Sequence, residues 1–98
     1  MKKSIILASF LAISSFSVSA AEIKFVCYQD ANECDVLEDM SSIWESSTGN
    51  TVNFEIVGYD VVRDQLENLL ESGAAPDVAR VTNLGGLNKF YLDLTPYV

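Results

Sequence analysis

Ala75-Pro76-Asp77-Val78-Ala79-Arg80-Val81-Thr82-Asn83 is the stretch that decides the fold. Pro76 cannot continue the helical pattern before it, because it has no backbone N–H and its ring clashes with the preceding turn. Asp77 opens a new element, and Val78 to Val81 is a short apolar run carrying one charge. A run of that length between breakers reads as an inner strand. Thr82-Asn83 leads into Leu84-Gly85-Gly86, which ends it. The strand therefore delivers Arg80, Thr82 and Asn83 to one edge of a sheet. In open parallel sheets the carboxyl edge is where ligands bind.

Two further strands precede it. Ile23-Lys24-Phe25-Val26-Cys27-Tyr28 is almost continuously apolar, as a strand covered on both faces should be. Ile23, Phe25 and Cys27 point to one face, Val26 and Tyr28 to the other. Thr51 to Val57 alternates cleanly, with Val52, Phe54 and Ile56 opposite Asn53 and Glu55, and reads as a half-exposed edge strand. Between these strands, Gln29 to Cys34 is a polar loop, and Asp35 with Glu38 three positions on predicts a capped helix start. Val36, Leu37, Met40, Ile43 and Trp44 form its apolar stripe, Asp39, Ser41, Ser42 and Glu45 its wet side, and Gly49-Asn50 its stop. Asp60 is expected to cap a second helix with Val62, Leu66, Leu69 and Leu70 inward, ended by Gly73. A short helix over Leu87 to Tyr91 follows, and Pro96 closes the segment.

The order is β-α-β-α-β-α with short loops, which predicts an α/β fold: a three-stranded parallel sheet in the order 2-1-3 with helices on both faces. Strand one then lies between the other two, and the crossovers diverge. All three carboxyl ends meet at one edge: Tyr28-Gln29-Asp30, Gly58-Tyr59-Asp60 and Arg80-Val81-Thr82-Asn83.

The front of the chain has another character. Lys2 and Lys3 precede an apolar run from Ile5 to Ile13, and Val18-Ser19-Ala20 resembles a cleavage site. That layout predicts a secretory signal peptide over residues 1–20, and the run is too short for a spanning helix. No Cys follows the cleavage site directly, so a lipid anchor is not expected and the product is read as periplasmic. Without Lys2 and Lys3, the bases Lys24, Arg63, Arg80 and Lys89 face 14 acids, a net charge of about −10. Such a balance opposes binding to nucleic acid, which needs clustered Lys and Arg. A unit this short buries only about 60% of its unfolded surface, so a marginal core is expected.

Tyr28 and Tyr59 lie beside Gln29, Asp30, Arg80, Thr82 and Asn83 at the common edge. Aromatic faces stack on the C–H face of a sugar, while carboxylates, amides and guanidinium groups read its hydroxyls. Each Tyr taken singly would sooner serve the core, a preference that their joint position at one edge reverses, and Arg80 would equally serve an ion pair with Asp77 or an acid of a neighbouring strand. Cys27 and Cys34, separated by six residues, either bridge the loop after strand one or stay reduced. A bridge would stabilise by roughly 2–3 kcal/mol and would hold Gln29 and Asp30 in place. The chain contains no His, which removes Ser-His-Asp and Cys-His nucleophiles and imidazole metal sites. No calcium-loop or phosphate-loop pattern is present. Neither a catalytic residue, a metal nor a cofactor is expected.

Taken together, IKFVCYQD, a helix ending STGN, TVNFEIVGYD, PDVARVTNLGGL and YLDLTPYV resemble the start of the family 1 extracellular solute-binding proteins of ABC importers, the group that includes maltose-binding protein. The resemblance covers residues 21–98. It implies two α/β lobes that close on a carbohydrate, work as a monomer and dock on membrane permease subunits. Its cleft loops fall here on Tyr28 to Asp30, Tyr59 and Arg80 to Asn83. Paired cysteines are not general in the family. Its members run to several hundred residues, so residues 21–98 are expected to be the truncated first part of lobe 1. Two other functions compete with this one: an exported enzyme or sensor on the same lobe, and a small autonomous disulfide-stapled interaction domain.

Overall fold

The computed structural model describes residues 19–98. The expected leader, residues 1–20, lies outside the described residues except for Ser19 and Ala20. Strand β1 (Glu22–Tyr28) pairs in parallel with β2 (Thr51–Val57) along its full length, from Glu22 opposite Thr51 to Tyr28 opposite Val57. Strand β3 (Val78–Ala79) pairs in parallel on the other side, Phe25 opposite Val78 and Val26 opposite Ala79. The sheet order is 2-1-3, as the alternation predicts. Helix α1 (Glu33–Thr48) connects β1 to β2, and α2 (Tyr59–Ser72) connects β2 to β3.

β3 is shorter than the expected Val78 to Val81, and its two ends explain why. At the start, the Asp77 N–H donates to the Lys24 carbonyl and the Asp77 carboxylate accepts from the Lys24 N–H, both at 2.9 Å. The Arg80 N–H then donates to the Val26 carbonyl at 2.9 Å. Continued pairing would bring the Thr82 N–H to the Tyr28 carbonyl. That carbonyl instead accepts from the Arg80 guanidinium at 2.6 Å, so a side chain takes the place of the next rung.

The two faces of the sheet are covered differently. Val26 and Tyr28 share one face, where α2 lays Val62 and Leu66. Tyr28, Val62, Leu66 and Leu87 form the buried core, and Val57, Leu70, Ala79, Val81 and Phe90 pack around it. On the other face the Phe25 and Phe54 rings stack across the strands with centroids 4.8 Å apart. There α1 contributes Leu37, Met40 and Trp44 to an open groove floored by Ile23, Phe25, Val52 and Phe54.

The α1 stripe does not point where its spacing suggests. Met40 is 63% and Ile43 74% exposed, while Cys34 is fully buried. The inward line runs through Cys34, Leu37, Ser41 and Glu45, roughly a quarter turn from the apolar stripe. A disulfide between Cys27 of β1 and Cys34 in the first turn sets that phase. Glu45, expected on the wet side, is drawn in and accepts the Val52 N–H at 3.1 Å.

Both helix starts also differ from expectation. α1 begins at Glu33 after Asn32, two residues before Asp35, because the Glu33 carboxylate caps the loop and the disulfide draws Cys34 into the helix. α2 begins at Tyr59 after an extended Gly58, and Asp60 lies inside its first turn rather than at its cap. Both C-termini end as predicted, on Gly49 and Gly73 with φ of 74° and 73°, the left-handed conformation glycine accepts without a Cβ clash. Beyond β3, the expected helix over Leu87 to Tyr91 shrinks to a single 3-10 turn at Asn88–Phe90. Pro96 lies near the start of a second such turn, Thr95–Tyr97, instead of closing the segment.

Candidate functional site

The carboxyl edge is built from three strand exits. After β1, the Cys27–Cys34 disulfide joins the last turn of the strand to the first turn of α1, so residues 28–33 cross a bridged loop. Within it the Glu33 carboxylate accepts the Ala31 N–H at 2.8 Å and the Asp30 N–H at 3.3 Å. These backbone donors, the amide of Ala31 foremost, hold the Glu33 carboxyl below the ordinary glutamate range; the Arg80 charge adds to the effect and desolvation opposes it. Gln29 spans the same loop, donating to the Asp35 carboxylate at 3.4 Å and accepting the Asp35 N–H at 3.3 Å.

Arg80 arrives from β3 and closes this corner. Its guanidinium lies over the Tyr28 ring, 4.0 Å from the centroid. Nη1 donates to the Tyr28 carbonyl, and Nη2 lies 3.4 Å from both the Asp30 and the Glu33 carboxylates. The side chain is only 26% exposed, so the charge is partly desolvated and its pairing matters. The partners are acids that follow β1, not Asp77, which is occupied with the Lys24 amide.

The second corner forms where β2 exits. Tyr59 opens α2, its ring edge-on to Tyr28 at 5.1 Å. Its hydroxyl shares a hydrogen bond with the Thr82 hydroxyl at 3.2 Å. The Asn83 side-chain carbonyl accepts the Gly86 N–H at 3.1 Å, leaving its NH₂ group for other partners. A Cβ on residue 86 would meet that folded-over amide, which would have to swing aside. Tyr59, Val62, Arg63, Glu67, Thr82 and Asn83 are among the residues lining a cleft of about 70 Å³. Arg63 is bound to Asp64 at 2.7 and 2.8 Å, which holds the Asp64 carboxyl low and the guanidinium high.

The seven expected ligand residues thus share an edge but not a single void. Asp30 and Arg80, with Gln29 nearby on the loop, make one corner; Tyr59, Thr82 and Asn83 make the other. Tyr28 stands between them and is 4% exposed. It does not present a stacking face: alternation sets it beneath α2 with Val26, and Arg80 covers its ring. Tyr59, 43% exposed, is the aromatic that remains accessible. Two residues escaped the sequence reading. Glu33 was taken as loop, although an acid just ahead of a helix's first free N–H groups is a usable signal. Gly86 was read only as a breaker. Among the described residues, no three His, Cys, Asp or Glu side chains are grouped to hold a metal ion.

Fold and edge together define an α/β unit whose polar strand exits border a topological switch between β1 and β3. Compared with known protein families, curated proteins and solved structures, the chain matches none.

Proposed function

We propose that this chain is the opening part of the first lobe of a solute-binding protein, which captures an uncharged carbohydrate in the periplasm and hands it to the permease of an ABC importer. The observation that carries the reading is the 2-1-3 parallel sheet with hydroxyl, amide and carboxylate groups gathered at its carboxyl edge. Tyr59 supplies an accessible ring, the Tyr59–Thr82 pair and Asn83 supply hydroxyl and amide groups, and Asp30 supplies a carboxylate acceptor.

The electrostatics favour a neutral ligand. Arg80 and Arg63 are both engaged by carboxylates, so no free cation awaits an anion at this edge among the described residues. A cleft of about 70 Å³ holds a few water molecules, whereas small-molecule sites run to about 300 Å³ or more. A half-site of that size suits a protein in which a second lobe brings the opposite wall and closure reports binding to a permease. The disulfide fits export to an oxidising compartment.

The test is isothermal titration of the intact protein, produced from its own reading frame, against glucose, galactose, xylose, maltose and sucrose. Saturable micromolar or tighter binding of one of them, with glucuronate bound far more weakly than glucose, is the expected result. Heat-silent titrations with all five would sink the proposal, and conversion of any sugar to product would move the chain among enzymes.

A further inference from the structure

We infer that Glu33 is the positioning residue of the proposed sugar site, holding the Asp30 carboxylate in place for the ligand through the loop backbone and Arg80. This rests on the sugar reading of the edge and assigns a division of labour between two neighbouring acids.

The oxygens of Glu33 are already used. Oε2 accepts the Asp30 and Ala31 amides, and Oε1 faces Arg80 Nη2. Asp30 is different. Its side chain is 65% exposed, and it meets Arg80 through Oδ2, at 3.4 Å. Asp30 therefore has acceptor capacity to spare for a sugar hydroxyl, and Glu33 has little. Glu33 is also the better anchored of the two, because the next residue, Cys34, is fully buried and bonded to β1.

The disulfide fixes the ends of the loop but not its middle. Asp30 and Ala31 lie between the sulfurs, and the Glu33 carboxylate takes up both of their amide donors. Removing it turns these two amides to water and leaves Arg80 with one carboxylate. The Asp30 side chain then samples several positions, and its ordering has to occur on binding, which lowers affinity without removing a ligand contact.

A double-mutant cycle separates this from ordinary structural support. Sugar affinity is measured by titration calorimetry for the intact protein and for Glu33→Ala, Asp30→Asn and the double variant. Glu33→Ala should weaken binding by about tenfold, and in the Asp30→Asn background the same change should cost less than about twofold, because the group it positions is already impaired. Amide exchange at Ala31, without sugar, should accelerate in Glu33→Ala. Should Glu33→Ala fail to fold, Glu33→Gln keeps an acceptor for the Ala31 N–H and still gives up the charge on Arg80; it should bind several-fold more weakly than the parent. Losses that multiply across the cycle, or a Glu33 variant binding like the parent, overturn the inference while leaving the sugar reading intact. A parent protein that binds none of the sugars overturns the reading and the inference together.

Discussion

The two faces of the sheet hold their helices by different means. α2 is held by burial: Val62 and Leu66, 7% and 4% exposed, sit against Tyr28 and Leu87. α1 is held by a covalent bond: Cys34 is its one buried residue, Leu37, Met40 and Trp44 only border an open groove, and Val36 and Ile43 face outward. Area removed from water anchors a helix only when its apolar stripe meets the sheet. Where a cross-link sets the rotation, the stripe need not.

The largest test of this contrast lies on the α2 face. Leu66→Ala should cost about 2–5 kcal/mol of unfolding free energy, read by denaturant titration of the intact protein, because it opens a cavity in the small core. A loss below about 1 kcal/mol would mean that burial does not hold α2. Next, replacing Cys27 and Cys34 together by Ala should cost roughly 2–3 kcal/mol, with amide protection lost in α1 and kept in α2. Equal loss in both helices would erase the distinction between the faces.

A smaller effect concerns acid. The Glu33 carboxyl titrates below its ordinary value, so its stabilising contribution is complete above about pH 4.3 and is lost as pH falls through the lowered folded-state value. The stability difference between the protein and Glu33→Gln, present at about pH 6, should shrink as pH falls below about 4.3 and through the lowered folded-state value. A gap independent of pH would place the effect in packing, not charge. The smallest expectation falls on the exposed α1 ledge: Ile43→Ser, at a position 74% exposed, should change stability by less than about 0.5 kcal/mol in the same titrations. A large loss there would show that something covers the ledge in the intact protein.

The succession of strands and helices behind the parallel sheet was legible because alternation, turn glycines and Pro76 are local signals that agree with one another. The helix stops at Gly49 and Gly73 were equally readable. Helix phase was not. The spacing of Val36, Met40 and Ile43 says only that these residues share a side, and which side meets the sheet depends on where Cys34 is tethered. At the edge, the identities of the seven residues and their common strand exits could be read, but their partners could not. Arg80 was balanced between a ligand and an ion pair, and its contacts with residues about fifty positions away in the chain appear only in the folded structure.

By itself the chain of residues determined that strands and helices alternate, where the two long helices stop, and that a polar exit follows each strand. Those properties follow from periodicity and from the steric limits of Pro and Gly, which act over a few neighbours. Only the tertiary structure decided that Tyr28 is core and Tyr59 accessible, that Arg80 closes one corner, and that Glu33 ties the loop to β3. These outcomes depend on desolvation and on hydrogen bonds between distant segments, which have no address in the sequence until the sheet brings them together.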